Sequence, residues 1–449
     1  LDAQRRACAR QVGEVTPGKL VRREISRILS AGTLDDFGLE DNRNNYLAAV
    51  CSGKAGFGLA WLDLSTGEFR LAEIMEESML TDQLARLQPG ELRVPAGEED
   101  RGQAWQIAPT AHDGFAFDPV QAAELLREHF RVQSLDGFGC AAMPLGVGAA
   151  GALLHYVTRS LRRDANHLAP PKPWHAGEYV MIDAATQANL ELVEARGPQG
   201  TSLREAIDRT LTPMGARLLR GWILQPLRDL EAIAARQDLV AAFHDDAPRL
   251  AAVRDILRDM RDMERAVSRL SLASGNARDL VVLRASLSLL PPLRAALASD
   301  ADSPLCGLAA QIRTFDALAT LLESAVVDDP PPTIRDGGMI RAGYNPDLDG
   351  LRRAGTEGRQ WIAELQEREI ARTGIKSLKI RYNSVFGYYI EVTRTNLASV
   401  PDDYTRKQTT ANAERFITPE LKEMEGRILG GEERARALES EIFAQLRAA

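Results

Sequence analysis

Three side chains suited to phosphate contact alternate along one short segment: Lys379, Arg381 and Asn383. Leu378, Ile380 and Tyr382 alternate with them. A period of two places the polar set on one face of a β-strand and the apolar set on the other. Lys and Arg attract phosphate by charge, and an Asn amide can donate to its oxygens. Such a face would hold a nucleic-acid backbone without reading bases. Phe386-Gly387 offers a turn, after which Tyr388, Ile390 and Val392 resume the alternation. Arg406, Lys407 and Asn412 repeat the same chemistry further on. The return segment that carries them is expected to fold back beside the first strand. An ordinary solvated strand face fits the pattern too, as does a helical scaffold whose basic tip binds another protein. DNA binding that weakens steeply with salt would separate these readings.

Two long helices must position this segment. Gly350 to Arg372 reads as one of them. Thr418-Pro419-Glu420 opens the other, with a capping Thr and a Pro at the first helical position. Leu421, Ile428, Ala435 and Ile442 recur every seven residues, as do Met424, Gly431 and Leu438. That spacing predicts a coiled-coil seam, with Leu438 and Ile442 expected to meet Trp361, Ile362 and Leu365 of the outgoing helix. A helix of about 30 residues reaches roughly 45 Å, so the seam would make an arm with a small β unit at its tip. Charge follows the same division. The chain carries 55 Lys and Arg against 63 Asp and Glu, a formal net charge of −8. From Arg372 to Arg415 there are eight basic residues against four acidic ones. Nucleic acid would therefore be attracted at the tip and repelled elsewhere.

The rest of the chain reads as further domains. Its 449 residues suffice for two to four, and 45% hydrophobic with 26% charged residues is ordinary globular composition. Residues 1–40 are mixed and charged, with a turn expected at Val15 to Lys19. Strands are predicted from Asn44 to Val50, Phe57 to Asp63, Glu68 to Ala72 and Glu91 to Val94, and helices near 75–88, 118–130 and 148–162. A meander followed by αβ alternation makes a compact α/β domain. Pro170-Pro171-Lys172-Pro173 reads as a stiff linker. From 201 to about 325 the pattern is nearly all helical. Leu203, Ile207 and Leu211 share one face there, Thr212 caps a helix that starts at Pro213, and Gln225-Pro226-Leu227 ends it.

Several chemistries find no support. Gly146 to Gly151 matches GxGxxG, but Pro144 stands where a hydrophobic strand should precede it. A small-residue helix packed closely on a neighbour is the expectation. No G-x-x-x-x-G-K-[ST] loop or GxSxG elbow occurs. Asp63 and Glu68 are the candidate carboxylates for a metal nuclease, and no later acidic set completes such a site. Cys8, Cys51, Cys140 and Cys306 form no CxxC, which fits a reducing compartment and a cytoplasmic location. The six His residues show no HExxH or close pair. No apolar run approaches the ~20 residues of a membrane span.

The strings YNSVFGYYIEVT, PDDYTRKQT and NAERFITPELKE, all between Tyr382 and Glu423, resemble the clamp of the MutS family of DNA mismatch-recognition proteins. MIDAATQANLEL and TSLREAIDRTLTPMGARLLRGWILQPLRD are similar to its core domain. NNYLAAV, GFGLAWLDLSTGEF and LDGFGC are similar to its connector. The resemblance implies a multidomain α+β chain. Residues 1–35 would be the tail of the mismatch-binding domain, 36–173 an RNase H-like α/β connector and 174–357 a helical core with levers. Residues 358–417 would be a small β-rich clamp inserted between two lever helices, and 418–449 a returning lever helix. It implies that the clamp holds duplex DNA by its backbone, with Lys379, Arg381, Asn383, Arg406, Lys407 and Asn412 as contacts. It further implies that the connector contacts MutL and that the whole protein is a homodimer. ATP and Mg would belong to a C-terminal ATPase domain beyond this fragment, so no cofactor or hydrolysis is expected here. The family's Phe-x-Glu mismatch motif is not found and is expected upstream of Leu1.

Overall fold

A computed structural model describes residues 6–11, 23–34, 38–197, 200–272, 274–298, 300, 302–383, 387–410 and 412–449, with side chains of 6–11 and 23–27 excepted. The turn expected at Val15 to Lys19 and Phe386 of the later turn lie outside these residues. The chain divides into two compact units, Leu1–Ala319 and Thr320–Ala449.

The first unit opens with an antiparallel pair, β1 (Arg6–Gln11) and β2 (Arg23–Leu29). A mixed six-stranded sheet follows, built from β3 (Leu47–Gly53), β4 (Gly56–Asp63), β5 (Glu68–Ile74), β6 (Glu91–Pro95), β7 (Thr110–His112) and β8 (Lys172–Pro173). The strand order is β7-β6-β3-β4-β5-β8. β3, β4 and β5 form the antiparallel meander, and β6, β7 and β8 join in parallel. Parallel additions need helical crossovers, which cover both faces. Leu47, Ala49, Leu62 and Leu71 pack beneath Leu126, Leu153 and Leu154 of the helices Pro119–Phe130 and Pro144–His155. Ala48, Val50, Leu59 and Trp61 pack against Leu80 and Leu84 of the helix Glu77–Leu87. The GxGxxG run lies inside the helix Pro144–His155, where a Cβ on Gly151 would run into Ala122. Close packing explains those glycines, since a Cβ on Gly146 would press on Ala72 of β5 and one on Gly148 on the Phe117 carbonyl. The proline-rich exit is ordered, because Lys172 and Pro173 extend the sheet beside Arg70 and Leu71. Proline is tolerated there because β8 is an edge.

Helices then run from Leu203 to Ala325. Thr212 caps the helix Pro213–Leu224 by accepting from Gly215 N–H at 3.1 Å. The helix at Leu203 stops at Ile207, so Leu211 does not share its face, and both Leu203 and Ile207 are exposed. The interrupting feature is Asp208, whose carboxylate accepts from the N–H and hydroxyl of Thr210 in a turn. The stretch Ala277–Leu297, 21 residues, has the length and apolar character of a membrane span. It is two helices, Ala277–Leu287 and Leu290–Leu297, whose Leu287, Leu290, Leu293 and Leu297 are buried among their helical neighbours. Arg217 ties the helices to the segment before β3. It donates to Asp262 at 2.7 Å, Glu264 at 2.7 Å and the Asp41 carbonyl at 3.0 Å.

Burial controls the thiols. It pushes Cys51 up to about 12 and also raises Cys140, so both stay protonated at neutral pH, while Cys306 is partly exposed. The thiolate is the nucleophile. Iodoacetamide at pH 8 should therefore modify Cys306 well before Cys51 or Cys140, as read by peptide mass spectrometry. Equal rates at all three would show that the sheet opens on the labelling timescale.

In the second unit the helix Pro346–Thr373 leads into β9 (Lys379–Asn383), β10 (Gly387–Thr393), β11 (Thr405–Thr409) and β12 (Ala413–Ile417), and the helix Pro419–Ala448 returns. Asn345 and Thr418 cap the two helices, each with Pro in the first turn. The four strands form an antiparallel sheet in the order β11-β12-β10-β9. The heptad seam exists, but its axial register differs from the expected one. Arg368 pairs with Glu420, Arg359 with Glu432 and Arg352 with Glu439, each at 2.5–2.7 Å. Leu421 and Ile428, not Leu438 and Ile442, therefore meet Trp361, Ile362 and Leu365. Glu439 places Leu438 beside the start of the outgoing helix, one arm-length away. A repeat of seven fixes which residues face the partner helix, but not how far the two helices slide along each other.

Candidate nucleic-acid interface

The sheet is built onto the helices by one apolar face. Leu378, Ile390, Val392 and Phe416 are buried with Ile362, Leu365, Leu421 and Ile428. Two polar ties fix its direction. Gln366 accepts from the Ile380 N–H at 2.8 Å, and Glu425 accepts from the Tyr388 N–H at 3.1 Å. The β9–β10 end therefore lies back along the return helix. Gly387 sits there with φ +77°, and a Cβ would strike the Glu425 carboxylate.

The opposite end of β10 forms the outer tip, where Thr393 pairs with Ala413. The Asn396 amide donates to Ser377 Oγ at 3.0 Å and to Thr393 Oγ1 at 3.2 Å. Arg394 N–H donates to the Asn412 carbonyl, and its guanidinium to the Thr410 carbonyl, both at 3.2 Å. Lys376, Ser377, Arg394 and Asn412 are all exposed around this cluster.

The six residues expected at the interface do not form one patch. Lys379 and Arg381 point outward from β9 as expected, and Asn383 is half-buried at the β9–β10 end. Tyr382 is 51% exposed instead of inward, its ring 5.0 Å from that of Tyr388. Arg406 and Lys407 lie on β11, with β12 and β10 between them and β9. At ~4.8 Å per strand the two basic pairs stand roughly 14 Å apart across the sheet. The return segment folds back on the sheet, but not beside the first strand. The cross-strand row Ile380–Ile390–Phe416–Arg406 also places Arg406 on the opposite side from Lys379 and Arg381. The register slips at Lys407. Asn412 lies at the outer tip, a strand's length from Asn383.

Local carboxylates divide the cations further. Arg381 stands 3.5 Å from Glu391, Arg406 3.7 Å from Glu414, and Arg372 3.1 Å from Asp403. Arg415 is 3.8 Å from Glu391 and covers the Tyr389 ring at 4.4 Å. Among the described residues, no carboxylate lies within ion-pair distance of Lys376, Lys379, Arg394 or Lys407. A phosphate meets full positive charge at these four and must compete at the others. Lys376, Ser377, Arg394 and Asn396 were not anticipated from sequence. The signal was present in Arg394-Thr395-Asn396, a polar run that begins where β10 ends.

Elsewhere, the two carboxylates considered for a nuclease are committed to structure. Asp63 is buried and accepts from Asn44, the Asn45 N–H, and the N–H and hydroxyl of Ser65 at 2.7–3.1 Å. Glu68 accepts from the Tyr46 hydroxyl and from Arg70, both at 2.9 Å. With four donors on Asp63, its oxygens hold the β4–β5 turn and not a metal pair.

The family model for MutS domain II matches residues 45–169, and that for MutS domain III matches residues 185–449, more than half of the chain. The chain belongs to the MutS family. DNA mismatch repair protein MutS of Myxococcus xanthus is 43% identical over 443 residues, covering 96% of this chain and 50% of that protein. The protein of the same name from Symbiobacterium thermophilum is 41% identical over 441 residues, and that from Methanococcoides burtonii 39% over 446. The chain spans about half the length of the curated relatives it matches. The MutS domain II match covers the sheet from β3 through β7. The MutS domain III match takes in the whole helix–sheet–helix unit, including every cation of the second unit discussed above.

Proposed function

We propose that this chain serves DNA mismatch repair by holding a DNA duplex through its backbone. Four exposed cations without carboxylate partners among the described residues carry this reading: Lys376 and Arg394 stand around hydroxyl and amide donors at the outer end of the sheet, Lys379 opens β9 beside them, and Lys407 lies on the far-edge strand β11, in a chain of net charge −8. Such groups suit phosphate oxygens and carry no base-specific pattern, so binding is independent of sequence. In this reading residues 358–417 are a clamp between two lever helices, and residues 36–173 are an RNase H-like connector that contacts MutL. Residues 174–357 are the core, residues 1–35 belong to a mismatch-binding domain, and 418–449 form the returning lever. The whole protein acts as a homodimer, with ATP and Mg bound outside this fragment.

Fluorescence polarisation of a matched duplex with the whole chain, at several salt concentrations, tests the reading. Log K should fall linearly with log salt, with a slope of about 0.9 per phosphate contact. Binding that is absent or insensitive to salt would favour a helical scaffold that engages protein. Calorimetry should show no saturable, magnesium-dependent binding of ATP, since the sequence carries no phosphate loop. A saturable isotherm would reassign that part of the function to this chain.

A further inference from the structure

β7 ends at the edge of the six-stranded sheet with His112, and the helix Pro144–His155 ends with His155. No spacing in the chain signals a histidine pair, yet the fold brings His112 Nε2 within 3.1 Å of His155 Nδ1. Asp113 follows His112, and its carboxylate and the two ring nitrogens all lie within 4.8 Å of one another. We propose that His112, Asp113 and His155 form a binding site for a divalent transition metal of the zinc class.

The geometry suits such an ion. Tetrahedral zinc with bonds of about 2.0–2.1 Å holds its ligand atoms roughly 3.3 Å apart, so the two imidazoles need almost no movement. Their backbones are fixed by regular structure. The His112 carbonyl accepts from the Ala96 N–H at 3.0 Å, and His155 closes a helix packed on the sheet. Aromatic rings hold the imidazoles in place. His112 lies 5.4 Å from Tyr156, and His155 lies 5.3 Å from Phe115. Asp113 supplies the adjustable ligand. It precedes the short helical turn Gly114–Phe117 without capping it, and it is exposed, so its carboxylate can rotate inward. The helix widens into a π turn, Tyr156–Ser160, immediately after His155. Such single-turn irregularities are frequent at functional sites. Two imidazoles and a carboxylate favour zinc over magnesium or calcium, and three protein ligands leave a fourth position for water. The ion would clip the edge strand to the end of the helix.

The test is calorimetric titration of the whole chain with zinc chloride after chelator treatment, in a Cys306→Ser background that removes the partly exposed thiol. One zinc per chain should bind. His155→Ala should weaken binding by about tenfold or more, and Asp113→Asn by less. Co²⁺ in place of zinc should give the visible absorption of a tetrahedral site, absent in His155→Ala. His155 is only half-buried, so circular dichroism should show that this variant folds. If the parent gives no saturable heat, or His155→Ala binds zinc as the parent does, the two histidines are joined only by their own hydrogen bond and the proposal fails.

Discussion

Replacing Lys376, Lys379, Arg394 and Lys407 together with Ala should weaken duplex binding on the order of 10³-fold at about 0.1 M salt. It should also flatten the salt dependence by a slope of roughly 3.6, which is about 0.9 for each of four lost phosphate contacts. Matched and mismatched duplexes should lose affinity alike, because none of these side chains is placed to read a base. Folding should survive, since all four are exposed. The informative control is Arg381→Ala with Arg406→Ala. Those guanidiniums face Glu391 and Glu414, so removing them frees a carboxylate as it deletes a cation, and the change in slope should be smaller. If the control lowers the slope more than the fourfold variant does, the ion pairs open on binding and the division drawn here between paired and unpaired cations is wrong.

Ile428→Asp should be the most damaging single change in the second unit. Ile428 is 1% exposed and packs with Ile362 and Leu365. It also fills the space left by Gly358, where an added Cβ would collide with it. An aspartate there would be buried among apolar side chains and should cost about 3–5 kcal/mol. Gly358→Ala overfills the same contact and should cost roughly 1–3 kcal/mol. Leu438→Asp, on a half-buried position, should cost less than either. Urea denaturation followed by circular dichroism ranks the three, and a Leu438→Asp variant less stable than Ile428→Asp would restore the register first expected from sequence.

What the sequence disclosed depended on the range of the interaction. Thr212 and Thr418 act as caps through neighbours three residues away, and such local signals are legible. The alternation at Leu378 to Arg381 likewise placed Lys379 and Arg381 on the outer face. It failed at Tyr382, where β9 passes the buried core and the ring rests on Tyr388. Strand order was not legible. Nothing in TRKQT says that β11 pairs with β12 at the far edge, because hydrogen-bonded ladders are indifferent to which strand supplies them. The partners Glu391 and Glu414, which decide which cations stay available, follow from that pairing and were hidden with it. His112 and His155 lie 43 residues apart and meet only because β7 and a crossover helix end at the same corner.

The tie between Glu425 and the Tyr388 N–H has a mechanical consequence. It joins with the Gln366 contact and the shared apolar core to fasten the sheet to both helices at once. A sheet hung on one flexible turn would absorb any disturbance of the helices beneath it. A fastened sheet must follow them as a rigid pointer. The outgoing helix has 28 residues, a length of about 42 Å at ~1.5 Å per residue. A tilt of about 5° at its base would then sweep the outer cations through nearly 4 Å, more than the length of a hydrogen bond. An angular change too small to break any packing at the foot of the arm is thus enough to make or lose a phosphate contact at its end.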